Sequence, residues 1–104
     1  MATSPTQRSL KKLRDEGWLA DVVEKWIPGA NIRRDLYGFI DILCISGSET
    51  LAVQTTSYAH VADRVKKITE HENLSMVRDA GWCIQVHGWR KVKNRWQCRV
   101  VDLS

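Results

Sequence analysis

A single aspartate inside an apolar hairpin constrains this chain more than any other residue. Residues 38–57 read Gly-Phe-Ile-Asp-Ile-Leu-Cys-Ile, then Ser-Gly-Ser-Glu, then Thr-Leu-Ala-Val-Gln-Thr-Thr-Ser. The composition predicts a strand from Gly38 to Ile45 and a second from Leu51 to Thr56. Ser46–Glu49 is turn material, Glu49 included, so the pair reads as a β-hairpin. Asp41 has no packing reason to be there. Strands disfavour aspartate, and a buried charge has to be paired or bound to a metal. Alternation puts Asp41 on a face with Leu43 and Ile45, and Gln54 on a face with Ala52 and Thr56. With a suitable register, Asp41, Gln54 and Thr56 meet in one polar spot. The competing reading is that Asp41 caps a strand end and pairs with Arg33 or Arg34.

The remaining elements follow in order. Ser4 as N-cap and Pro5 at the first position open a helix over Pro5–Glu16, with Leu10 and Leu13 on its buried stripe and Gly17 as its stop. Trp18–Ile27 reads as a strand, although Leu19-Ala20-Asp21 can also extend the helix. Pro28–Asn31 is a turn. Ser57 is positioned to cap a second helix over Ala59–His71, where Val61, Val65 and Ile68 share a face. A short helix over Leu74–Ala80 ends at Gly81. Strands Trp82–Gly88 and Trp96–Leu103 follow, joined by a basic turn over Trp89–Arg95. The expected architecture is α/β: a single domain with a mixed, twisted sheet flanked by helices. The stretch between Ala59 and Ala80 is long enough to cross over to a parallel strand.

Composition narrows the function classes. At 43% hydrophobic and 27% charged residues, the chain is globular rather than disordered. No apolar run approaches the ~20 residues of a membrane span. The first residues, Met-Ala-Thr-Ser-Pro-Thr-Gln-Arg, lack an apolar signal core, so export is not expected. Cys44, Cys83 and Cys98 show no metal-ligand spacing and read as reduced core residues of a cytoplasmic protein. The net charge of +4 leans towards a polyanionic partner. With five tryptophans, several are expected in the core and one or two at a surface contact.

Gly38-Phe39-Ile40-Asp41 on one strand and Val53-Gln54-Thr55-Thr56-Ser57 on the next, within this element order, resemble the PD-(D/E)XK nuclease superfamily. The resemblance spans about Ser4 to Val86 and is nearest to archaeal-type Holliday junction resolvases and the small VRR-NUC-like phage nucleases. It implies an αβββαβ core with an added C-terminal strand. It further implies a Mg²⁺- or Mn²⁺-dependent deoxyribonuclease, a homodimeric state, branched DNA as substrate, and a phage-encoded protein acting in the host cytoplasm. Asp41 matches the metal-binding aspartate. Gln54 stands where a second acid is usual, and Thr55 where a backbone carbonyl assists the metal. Thr56 stands where the lysine is usual, and Gln7 is the nearest match to an acid on the first helix. Glu24 is a further candidate metal ligand, or else pairs with an arginine across the sheet. Arg64 and then Lys67 on the second helix are candidates for the displaced cation. Because Gln54 and Thr56 replace an acid and a lysine, the alternative is a catalytically degenerate DNA-binding or protein-interaction module on the same fold.

Arg90, Lys91, Lys93 and Arg95, flanked by Trp89 and Trp96, have the composition of a phosphate-binding tip with stacking as a second term. A solvated hairpin with anchoring tryptophans has the same composition. Arg33 and Arg34 can reach a phosphate or neutralise Asp35 and Asp41. His60, His71 and His87 have no metal-ligand spacing. His60 and His71 read as solvated, and His87 as a satisfied core or edge residue.

Overall fold

The computed structural model describes residues 3–104; Met1 and Ala2, the first two residues of the stretch read as lacking a signal core, lie outside it. Helix α1 (Pro5–Asp15) begins at the Ser4 cap, whose Oγ accepts from the Gln7 N–H at 3.2 Å. It leads into β1 (Leu19–Val22), the ribbon strands β2 (Lys25–Ile27) and β3 (Ile32–Arg34), then β4 (Ile42–Ser46) and β5 (Glu49–Ser57). A 3₁₀ turn over Tyr58–His60 precedes α2 (Val61–Thr69) and α3 (Leu74–Asp79), and β6 (Cys83–Val92) and β7 (Arg95–Asp102) close the chain.

The main sheet has the order β1-β4-β5-β6-β7. β1–β4, β4–β5 and β6–β7 are antiparallel, while β5 and β6 are parallel and joined through the two helices. The fold is therefore α/β with a mixed five-stranded sheet. Period-2 alternation divides its apolar residues between two faces. Ala20, Ile42, Cys44, Leu51 and Val53 pack beneath Leu10 and Leu13 of α1. Ala52, Ile84 and Val86 pack with Val61, Ile68, Leu74 and Val77 on the opposite face. Gly88 lets α2 start close to the sheet, since a Cβ there would lie 2.1 Å from Val61 Cγ2. No helix among the described residues is long and apolar enough to cross a membrane.

Several boundaries differ from the sequence expectation. The strand expected over Trp18–Ile27 is two strands, because β1 loses its neighbour. The last link to the main sheet is the Val23 N–H donating to the Asp41 carbonyl at 2.8 Å. Beyond Asp41 the neighbouring chain turns away, with Tyr37 at φ 55° and Gly38 at φ 91°. β2 therefore pairs with β3 in a separate two-stranded ribbon. For the same reason the strand expected from Gly38 begins only at Ile42. Gly38 is required there twice over, by its positive φ and by the His71 ring, 2.3 Å from where a Cβ would sit.

The second helix is shorter than Ala59–His71, and Ser57 makes no side-chain cap, because the 3₁₀ turn intervenes. Glu49 is the first residue of β5, paired with Ser46, rather than part of the turn. β6 runs on through Trp89, Arg90 and Lys91, and the basic turn contracts to Lys93-Asn94, both with positive φ as a two-residue hairpin turn requires. No tryptophan is fully buried: Trp18, Trp82 and Trp89 are half-buried, and Trp26 and Trp96 are exposed. His71 is half-buried, edge-on to Phe39.

Candidate functional site

Extending the β4–β5 register by one step beyond Ile42 and Val53 sets Asp41 against Gln54. Asp41 is only 3% exposed. One of its carboxylate oxygens, Oδ2, accepts from Gln54 Nε2 at 2.5 Å, from the Thr55 N–H at 2.8 Å and from Thr55 Oγ1 at 3.2 Å. Because the Thr55 hydroxyl spends its proton on Asp41, the 2.8 Å contact between Thr55 Oγ1 and Thr6 Oγ1 is donated by Thr6. A relay Thr6–Thr55–Asp41 therefore ties α1 to the site. Gln7, the expected α1 residue, is exposed; one residue is about 100° of helix turn, and Thr6 is the residue facing inward.

The loss of sheet pairing after Val23 brings Glu24 to the same place, and the end of β3 brings Asp35. Ligand oxygens of Glu24, Asp35 and Asp41 all lie within 4.8 Å of one another. Burial, the hydrogen bond with Asp35 and the charges of Asp35 and Glu24 push the Asp41 carboxyl up to about 7; the Thr55 N–H opposes this. Asp35 was not singled out in the sequence because Arg33-Arg34 just before it reads as its neutralisation. The missed signal is that the chain must turn between two charged stretches and an apolar strand.

Cations enclose the carboxylates. Lys67 Nζ lies 3.3 Å from Asp35 Oδ2 and 3.4 Å from Gln54 Oε1. Arg33 Nη1 lies 3.4 Å from Glu24 Oε1. Arg64 lines the same cleft, and its buried Nε has no hydrogen-bond partner among the described residues. The cleft, about 480 Å³, thus carries three carboxylates against Arg33, Arg64 and Lys67, with Thr56 buried in its wall. Thr55 meets Asp41 through two donors, its N–H and hydroxyl, and the Gln54 carbonyl is turned to Lys67.

The other expected contact residues lie outside this cleft. Arg34 points from the opposite face of the ribbon into an adjoining cleft that shares Asp35. β6 pairs with β5 as far as Ser57 and Trp89, so Arg90, Lys91, Lys93 and Arg95 extend past the end of β5. Arg90 lies over the Tyr58 ring at 4.2 Å. His87 is buried, with Ser9 Oγ 2.9 Å from Nδ1 and Gln85 Oε1 3.0 Å from Nε2. Trp89 Nε1 donates to the same Ser9 oxygen at 2.8 Å. His87 belongs to the α1–β6 packing rather than to the cleft.

No protein-family model matches this chain, and no curated protein is significantly similar to it.

Proposed function

We propose that this protein is a metal-dependent DNA endonuclease of the PD-(D/E)XK type, hydrolysing phosphodiester bonds in branched DNA. The observation that carries the reading is the convergence of Glu24, Asp35 and Asp41 beside Lys67 and Arg64. Three carboxylates are the hard oxygen donors that Mg²⁺ or Mn²⁺ takes. The donor set fits, because crowding leaves Asp41 reluctant to ionise and a divalent cation relieves that crowding. A bound ion would supply an activated water and charge stabilisation at the phosphate. Glu24, Asp35 and Asp41 would hold it. Gln54 and Thr55 orient Asp41, and Lys67 replaces the cation missing at Thr56. Arg64, with Nε unpaired, is placed to meet a phosphate oxygen. With all three carboxylates ionised around a metal, the cleft's side-chain charges balance, so a divalent ion leaves it net positive, the sign a phosphodiester requires.

The proposed setting, taken from the family resemblance, is the cytoplasm of a phage-infected cell; the free thiols of Cys44, Cys83 and Cys98 fit a reducing compartment. A two-fold homodimer would place two clefts on two strands. A second reading, a silent DNA-binding module, is favoured by one observation: Lys67 and Arg33 already pair with Asp35 and Glu24 without a metal.

Cleavage of a labelled four-way junction and a matched linear duplex, with Mg²⁺, Mn²⁺ or EDTA, decides between them. Metal-dependent cutting of the junction is expected, with Asp41→Ala slower by on the order of a hundredfold or more and DNA binding retained. Intact binding with no cutting under any metal leaves the silent module.

A further inference from the structure

The β2–β3 ribbon stands apart from the main sheet, with three residues per strand. A two-stranded ribbon of this size is marginal on its own, yet one of its three cross-strand pairs works against it. Lys25 lies directly opposite Arg34, and like charges so placed repel. Neither has an ion-pair partner among the described residues. Both line the cleft that adjoins the carboxylate cleft through Asp35. On the other ribbon face Trp26 lies opposite Arg33, which reaches Glu24.

Trp26 is 52% exposed. The other exposed tryptophan, Trp96, has its ring covered by the Arg8 guanidinium at 3.4 Å, and Trp82 has Tyr37 at 6.1 Å. Among the described residues, no ring or cation stacks on Trp26. A bare indole face beside Arg33, with Lys25 and Arg34 on the other face of the same narrow ribbon, is suited to a nucleobase whose flanking phosphates run around the ribbon. The base must be unpaired, because bases within a duplex already spend their faces on each other. A second copy of the ribbon is a poor occupant, since it would bring the same cations face to face.

We propose that the β2–β3 ribbon is a strand-holding arm that captures an unpaired nucleotide beside the carboxylate cleft, Trp26 stacking on the base while Lys25 and Arg34, on the ribbon's other face, hold a phosphate further along the same strand. The placement of that nucleotide at a reacting centre rests on the nuclease reading; the binding itself does not.

The test is fluorescence anisotropy in EDTA, with a short labelled oligothymidine and a blunt duplex. Trp26→Ala is expected to weaken strand binding by roughly 5- to 100-fold while changing duplex binding little, and Trp26→Phe to retain most of it. Lys25→Ala with Arg34→Ala is expected to lower the log–log salt slope for the strand by about 0.7 per lost phosphate contact. Undiminished strand binding in Trp26→Ala, or equal losses on strand and duplex, overturns the proposal. A shift in sedimentation on mutating Trp26 overturns it too, by making that face a contact between copies. Because no cutting is measured, an inactive cleft would remove the nuclease reading and leave the arm intact.

Discussion

At the scale of single residues, Asp41 carries the tension in the molecule. Three donors converge on one of its oxygens, yet burial and two neighbouring carboxylates hold its pKa near 7. The folded state keeps the proton that an unfolded chain releases near 3.8. Its stabilising contribution is therefore complete below pH 3.8 and lost as the pH rises through 7. Asp41→Asn keeps the shape and the hydrogen bonds without the charge. At pH 8 it is expected to be more stable than the native protein by about 1–3 kcal/mol in urea melts. Mg²⁺ should raise the melting temperature of the native protein more at pH 8 than at pH 6, and not that of Asp41→Asn. An unchanged melting temperature at every pH would count against the ion. Asp41 was legible because a charge within an apolar run needs a reason, and Glu24 entered only as a further candidate beside the family resemblance. Asp35 was not, because two adjacent arginines supplied a local one. Gln7 and Thr6 were exchanged because spacing alone does not fix the phase of a helix.

Among the elements, those with unbroken periodicity were legible: α1, the β4–β5 hairpin and the long return into β6. The β1–β2 break was not, because Val22, Val23, Trp26 and Ile27 supply apolar content on both sides of it, and the partner ends at Asp41, far away in sequence. The contact that seats α2 was equally silent. Gly88 reads as a strand terminator, but the strand continues through it, and its missing side chain admits Val61 and the Tyr58 backbone. A Cβ at Gly88 would lie 2.1 Å from Val61 Cγ2 and 3.3 Å from the Tyr58 Cα. Gly88→Ala is therefore expected to cost about 1–3 kcal/mol of stability. The same change made in Val61→Ala should cost less, since the nearest clash is gone. Additive costs in a double-mutant cycle would show that α2 does not rest on this contact. Since Lys67 and Arg64 ride on α2, the Gly88 variant should also weaken whatever the cleft binds.

Across the whole molecule, two buried groups on opposite faces of the sheet set opposing pH dependences. His87, 1% exposed, has its pKa lowered from 6.5 to about 4, by burial first and by Lys12 second, with Glu16 opposing. Trp89 occupies the Ser9 oxygen as donor, so the Ser9 hydroxyl proton is free to go to His87 Nδ1, and the His87 Nε2–H to Gln85. The neutral ring satisfies both neighbours, and it is burial, with the Lys12 charge second, that disfavours the protonated form. An unfolded chain takes up a proton near pH 6.5 that the folded chain refuses until about 4. Stability from His87 is thus complete above 6.5 and falls by roughly 3 kcal/mol on acidification to 4. Asp41 acts in the opposite direction over nearly the same interval, gaining stability as the pH falls from 7. In the native protein the two slopes largely cancel, and a melting-temperature profile between pH 4 and 7 should be shallow. Removing either group exposes the other. Asp41→Asn should lose stability steadily below pH 6.5, and His87→Gln, though less stable throughout, should gain stability as the pH is lowered. Profiles that stay parallel to the native one in both variants would show that neither burial sets the molecule's response to acid. Crossing profiles would establish that the carboxylate cleft and the α1–β6 packing are balanced against each other through the protons they hold.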